Sequence, residues 1–430
     1  MGMVSTLLHD IPIPKFYQIY NHIDSTHLSD IPAAVRGALQ RRGTLDRIHP
    51  GSTVCFTGSS REIDNAVPIL RTLAEEFRRV GAKPVLVPAM GSHGGALAEN
   101  QRAILSHYGI TEASIGCPIH ASMDTVEIGK TEEGLSVHID AFAASCDYIV
   151  PVGRIKAHTQ FHGPIESGIM KMITIGLGKQ HGADLCHTFG MRALSKYVPE
   201  FARVSLHQCS IPFGVGIIEN GLHQTYKIAA IPNENIEKEE AELLKLAKAL
   251  MPSFPYDEID ILIVDQMGKE ISGDGMDTNI IGRDFLSRGH RPNIQRIAVR
   301  DLSKKTGSNF YGIALADMVT RRLFNKISFE ETYPNFITNV TPEGVSIPAV
   351  MDSDRLCLQA CIKTCIKRGP HFPRIAWIQD TLHLGAFYIS EQLYASPIAQ
   401  GYTCTFNTTP LFPVFDENGN FAGFERRTNQ

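Results

Sequence analysis

The sequence predicts an α/β chain of two domains, each with a largely parallel or mixed sheet flanked by helices and with the active site in the interdomain cleft. Three observations predict it. The chain has 430 residues, beyond the roughly 250–300 at which a single core stops growing. Short apolar runs ending in Gly alternate with amphipathic stretches, the pattern of βαβ units. A proline-punctuated break at MPSFPYDE (251–258) separates two such series. The expected division is 1–253 and 254–430.

The first series begins with TVCFTG (53–58), a strand closed by Gly. DNAVPILRTLAEEFRRVGA (64–82) follows, apolar at helical spacing and with Gly near its end, as a helix terminus requires. KPVLVPAMG (83–91) reads as a buried strand, LAENQRAILSHYGI (97–110) as a second helix and CDYIVPVG (146–153) as another strand. NENIEKEEAELLKLAKAL (233–250) is a charged amphipathic helix. The second series starts at IDILIVDQ (259–266) and continues through RIAVRDLS (296–303), the helix-like GIALADMVTRRLF (312–324), CLQACIKTCIKRG (357–369) and RIAWIQDT (374–381). Residues 415–430 are polar and read as a loose tail or a return over the first domain.

Composition narrows the function classes. The formal charge of −4, without a basic block, argues against nucleic acid as a partner. No apolar run approaches the roughly 20 residues that span a bilayer, and the N-terminus has no basic region before an apolar stretch. Gly2 and Thr6 fit a myristoylation pattern short enough to arise by chance. Nine Cys without a CxxC pair point to a reducing compartment, and the expected location is cytoplasmic. Cys357, Cys361 and Cys365 recur every four residues and share a helix face. They are read as a buried stripe, since Cys packs as a small hydrophobe, rather than as a metal site.

In open parallel sheets, ligands sit beyond the C-terminal ends of the strands, and four loops there carry chemistry. Thr57-Gly58-Ser59-Ser60-Arg61 offers hydroxyls, backbone N–H groups and a guanidinium for an anion; the plain alternative is helix capping with a surface Arg. Gly91-Ser92-His93-Gly94-Gly95 places a His between glycines, suited to proton transfer, or to a His that bonds its own turn. Residues 153–187 hold His158, His162, Lys171, Lys179, His181 and His187, a density of titratable groups that packing does not need. The Gly-x-Gly-Lys piece at 176–179 lacks the full phosphate-loop spacing, and no HExxH zinc pattern occurs. Asp265-Gln266-Met267-Gly268-Lys269 closes the first strand of the second series, where Gln266 and Lys269 are placed to reach a carboxylate. Asp274, Asp277 and Asn279 beyond it do not have EF-hand spacing.

These residues together resemble the lactate racemase family. The resemblance covers roughly 50–285 and implies a two-domain α/β enzyme. Its cofactor is a nickel-pincer nucleotide, a pyridinium dithiocarboxylate mononucleotide loaded with the help of cofactor-building proteins. His93 in GSHGGA and His158 in GRIKAH resemble the two catalytic acid/bases. Lys171 in SGIMK resembles the cofactor-attaching lysine, and His187, sixteen residues on, the nickel ligand. Ser60, Arg61, Gly168 and Gly176 fall on the cofactor side, and Arg61, Gln266 and Lys269 on the substrate carboxylate. Departures are Gly58 where the family usually has Asp, Gly168-Ile169-Met170 before the lysine in place of three glycines, Gly94-Gly95 after the first His in place of Arg-Pro, and a longer gap from His158 to Lys171. That gap keeps His162 as a rival for the second acid/base.

The implied activity is racemisation or epimerisation of a 2-hydroxy acid by reversible hydride transfer to the pyridinium ring. The alternatives are a metal-assisted hydrolase or lyase using the His cluster with zinc or iron, and a non-catalytic homologue that binds a nucleotide or metal.

Overall fold

The computed structural model describes residues 2–287, 291–367 and 372–427. The chain forms two compact units. One comprises Asp24–Met251 with Thr338–Val340; the other comprises Met1–Ile23, Pro252–Ile337 and Thr341–Gln430.

In the first unit, strands Lys83–Pro88, Thr53–Gly58 and Tyr148–Val150 lie side by side in parallel. Thr53–Gly58 is in the middle and all but its first residue is buried, hence its continuous apolar run. The helix after it, Ala66–Arg79, buries Ile69, Leu70, Leu73, Ala74 and Phe77 on one stripe. The strand expected over 146–153 is two strands. Pro151 cannot donate to a ladder, and beyond it Val152–Arg154 joins a second sheet, parallel to Phe213–Glu219, which pairs antiparallel with Thr225–Pro232. Thr57 bridges the break: its Oγ1 accepts from Val152 N–H (2.8 Å) and donates to the Val152 carbonyl (3.0 Å).

The second unit holds an eight-stranded mixed sheet. Ala349–Met351, Met318–Thr320, Asn293–Leu302, Glu258–Met267 and Ile375–Ile378 run parallel in that order. Ala386–Ser390, Phe16–Asn21 and Cys404–Phe406 complete it with antiparallel pairings. The strand order reverses direction at Glu258–Met267, whose neighbours on either side are Asn293–Leu302 and Ile375–Ile378.

Three expectations need correction. Residues 1–23 pack with the second unit and not with the first, because Phe16–Asn21 is inserted between two of its strands; at Phe16 the ring contacts Trp377 and Phe424 edge-on. The stretch 312–324 is not a helix. Gly312 takes a left-handed φ of 95°, one 3-10 turn follows at Ile313–Leu315, and Met318–Thr320 then enters the sheet before the short helix Arg321–Phe324. The described part of the tail is neither loose nor a return to the first unit: Phe412–Phe415 and Phe421–Glu425 form a hairpin, and Phe421 and Phe424 pack on Trp377.

Helix Asp354–Thr364 lays Cys357 and Cys361 into the core, with Cys365 just beyond its end. The Cys361 Sγ sits 3.6 Å from the Met318 Sδ, and the Cys365 thiol donates to the Asp260 carbonyl. The stripe is packing, as read from its spacing. Among the described residues no helix is long and apolar enough to cross a membrane.

Candidate active site around Lys171

The three parallel strands of the first unit deliver three loops to one end of their sheet. Ala89 N–H donates to the Gly58 carbonyl (2.8 Å), joining the His93 loop to the Ser60–Arg61 loop. The Thr57–Val152 pair fixes the start of the segment that carries His158.

The Arg61 loop does not cap the helix after it. That helix begins at Ala66, behind Asn65, so the capping reading for Ser59 and Ser60 fails. Ser59 instead closes the loop on itself through the Arg61 carbonyl (3.0 Å), and Arg61 is exposed. Gly58 is required by packing: a Cβ there would meet the Leu105 Cδ2 at 2.9 Å and the Leu86 Cδ2 at 3.1 Å.

The His93 loop is a tight 3-10 turn with left-handed φ at Gly91, Gly94 and Gly95. Fully buried Gln101 holds it from beneath, donating to the carbonyls of Gly91 (2.9 Å) and His93 (3.1 Å). His93 itself faces solvent. Gly91 N–H reaches the Gly176 carbonyl (3.3 Å), and a Cβ on Gly176 would lie 2.8 Å from the Ala89 carbonyl oxygen. Gly176 therefore serves the close approach of the two segments.

Lys171 ends a helical turn, Ile169–Lys171, that continues as a π-helical turn, Met172–Leu177, and then as helix Lys179–Thr188. Such π turns are rare and concentrate at functional sites. Glu240 seats the start of this run. It is 1% exposed and its Oε2 accepts from Met170 N–H (3.0 Å). A Cβ on Gly168 would fall 2.1 Å from the Glu240 Oε1, so Gly168 is the residue that lets the carboxyl in. Burial pushes the Glu240 carboxyl up to about 8.

Lys179 answers the question raised by its phosphate-loop-like sequence. It is fully buried, paired with fully buried Asp140 (2.9 Å), and donates to the Pro88 carbonyl (2.6 Å). Asp140 also caps helix Ala141–Ser145. Lys179 thus ties the strand end before the His93 loop to the helix that carries His187.

His158 is partly buried and stacked beside Phe161, ring centres 4.3 Å apart. Its Nδ1 accepts from Gln160 N–H (3.1 Å), so the proton of the neutral ring is on Nε2. Its pKa is driven well below the usual value, first by loss of solvent, then by the Lys171 ammonium, with Lys156, His187 and His162 adding to it. Lys171 lies over the same Phe161 ring, Nζ 5.4 Å from its centre. His187 is 8% exposed and pushed down to about 4, by burial and then by Lys171. Its Nδ1 is buried with no hydrogen-bond partner among the described residues. Burial pushes the neighbouring Cys186 thiol up to about 12, which keeps it a thiol.

His162 stands apart. It is exposed and contacts Glu166 (3.6 Å). Burial alone would raise the Glu166 carboxyl, but His162, Lys248 and the His158 N–H hold it below the usual range. That fully buried carboxylate pins the loop by accepting from His158 N–H (2.6 Å) and Gly163 N–H (3.2 Å). Sequence reasoning missed Glu166 and Glu240 because neither sits near a glycine-rich strand end. His181 pairs with His138, ring centres 3.8 Å apart.

Residues 15–194 match the lactate racemase N-terminal domain. In this stretch the chain is a lactate racemase homologue. The match takes in Ser60, Arg61, His93, His158, Lys171 and His187, and stops short of Gln266 and Lys269. Two solved structures are similar. One is lactate racemase apoprotein from Thermoanaerobacterium thermosaccharolyticum, 14% identical over 66% of this chain and 74% of that one, with a TM-score of 0.45. The other is a structural-genomics target from Thermotoga maritima, 11% identical over 77% of this chain and 89% of that one, with a TM-score of 0.47. No curated protein matches.

In the second unit, Gln266 and Lys269 lie at the C-terminal end of Glu258–Met267, at the strand-order reversal. Both are partly buried. The Lys269 Nζ donates to the Gly273 carbonyl (3.2 Å) and sits 4.5 Å from the centre of the Tyr311 ring. Asp277 caps the turn Thr278–Ile281, which accounts for that carboxylate as a turn former.

Proposed function

We propose that the protein racemises or epimerises a 2-hydroxy acid, with a nickel-pincer nucleotide attached at Lys171. One observation carries this reading: Lys171 and His187 lie within electrostatic reach of one another, and the His187 ring is neutral with a buried nitrogen that nothing else uses. A buried polar atom without a partner is costly, and a metal ion would satisfy it. Among the described residues no three His, Cys, Asp or Glu side chains group to hold a metal by themselves. A single imidazole suits a metal whose remaining donors arrive with a cofactor, and this favours the racemase reading over a hydrolase with a protein-only metal site.

When bound, the cofactor would supply a hydride acceptor. The chain's residues do the rest. Lys171 would carry the group through its amine, and the Glu240 cap fixes the turn from which that amine projects. His158 is neutral across the physiological range and presents Nε2–H, so it enters as a hydrogen-bond donor to a substrate oxygen. Accepting a proton at Nε2 requires its Nδ1 to gain one, and hence to give up the Gln160 contact. His93, exposed on a rigid glycine turn, is the second proton-transfer group. Arg61 offers a fork for a carboxylate or phosphate. Gln266 and Lys269, on their own unit, offer an amide and an ammonium for the substrate carboxylate.

The test uses protein made together with the cofactor-building enzymes and assayed for loss of optical purity of D- and L-2-hydroxy acids. His93→Ala and His158→Ala should each keep a cofactor adduct and lose at least a hundredfold in rate, the usual scale of a lost general acid or base. Normal rates in both variants would remove their roles.

A further inference from the structure

The second unit contains a histidine–carboxylate pair that the racemase chemistry above does not use. The loop after Ile375–Ile378 reads Gln379-Asp380-Thr381-Leu382-His383. Asp380 is 2% exposed. Its Oδ1 accepts from Leu382 N–H (2.8 Å) and His383 N–H (3.1 Å), which closes the turn. The imidazole adds a contact that the turn does not need: His383 Nδ1 lies 2.8 Å from each Asp380 oxygen. Its side chain is nevertheless 61% exposed.

The pairing fixes the chemistry of the ring. A carboxylate on Nδ1 holds the proton there, so the outward Nε2 keeps its lone pair and accepts a hydrogen bond. The ring's place in the fold is also specific. Gln266 N–H donates to the Gln379 carbonyl, and Asp277 N–H donates to Thr381 Oγ1. Val264 pairs with Ile378, and extending that register by two residues sets Gln266 beside Asp380 on the same face. The pair therefore shares the strand-reversal rim with Gln266 and Lys269, where open sheets bind ligands.

We infer that His383, oriented by Asp380, accepts a hydrogen bond from a hydroxyl of the substrate beyond C2, and that the substrate is a polyhydroxy 2-hydroxy acid of the aldonate class. This rests on Gln266 and Lys269 meeting the carboxylate in the proposed function. A simple 2-hydroxy acid such as lactate carries a methyl group where the hydroxyl is needed. His383 is then a specificity-determining residue and Asp380 a positioning residue.

The experiment compares kcat/KM for D-gluconate and L-lactate in protein loaded with cofactor. The gluconate-to-lactate ratio should fall on the order of tenfold in His383→Ala, as expected for one hydrogen bond. His383→Gln, which restores an acceptor oxygen, should recover part of it. In Asp380→Asn, nitrogen NMR should show the ring proton moving from Nδ1 to Nε2 with a matching loss of ratio. A second readout needs neither cofactor nor turnover: gluconate, but not lactate, should shift the His383 ring nitrogens of the wild-type protein. A shift by gluconate in a protein that turns over no hydroxy acid would sustain this site and refute the racemase reading. Lactate turnover with an unchanged ratio in His383→Ala, or a ring indifferent to gluconate, would overturn the assignment.

Discussion

Residues 153–187 and 357–365 are both crowded with side chains able to bind metals, and the fold treats them in opposite ways. On helix Asp354–Thr364 each thiol is absorbed by its surroundings. Cys361 lies against Met318, Cys365 bonds a carbonyl, and burial raises the Cys357 and Cys361 thiols far above their usual range. Around Lys171 the His187 nitrogen stays without a partner, and the lysine that depresses its basicity remains partly open to solvent. A packed stripe satisfies its own polar atoms; a binding site leaves some for a ligand.

The largest expected difference between the two regions is in metal retention. Lys171→Ala or His187→Ala should leave less than a tenth of the wild-type nickel after gel filtration, while Cys361→Ala should retain all of it. Equal losses would break the distinction.

The next effect is on stability against pH in the cofactor-free protein. Glu240 ionises near 4.3 in an unfolded chain and near about 8 when folded. The unfolded state therefore releases its proton first, and Glu240's contribution is full below about pH 4.3 and lost as pH rises toward 8. The wild type should lose at most about 5 kcal/mol relative to Glu240→Gln across that window, at 1.36 kcal/mol per pKa unit. Denaturant melts at pH 5 and pH 8 measure this, and parallel pH profiles would show that the carboxyl does not titrate as described.

Gly168→Ala drives a methyl group into the Glu240 carboxyl and should cost about 1–3 kcal/mol, as other overpacked sites do. Cys361→Ala should cost about 1–2 kcal/mol for the small cavity it leaves. His162→Ala should change stability by less than about 0.5 kcal/mol, because Lys248 and two backbone N–H groups still hold Glu166. A large loss in His162→Ala would return it to contention with His158.

What the sequence made legible follows from the range of the forces involved. The strand–loop–helix units of the first unit were readable because periodicity and terminal glycines are local. Ser60, Arg61, His93 and His158 were findable because strand ends put them at one edge. The insertion of Phe16–Asn21 into the second sheet was not readable, since its partners lie at 386–390 and 404–406. The same holds for Glu240, seventy residues from the turn it caps. Residues 312–324 misled because Leu, Ala and Met fit a helix, whereas Gly312 and the parallel partners Ala298 and Val299 decide for a strand.

The most direct test of the central claim is the intact mass of protein made beside the cofactor-building enzymes. The account predicts a mass increment mapping to Lys171, present in the wild type and in His93→Ala, and absent in Lys171→Ala. A protein that binds nickel and racemises a 2-hydroxy acid with Lys171 unmodified would contradict it.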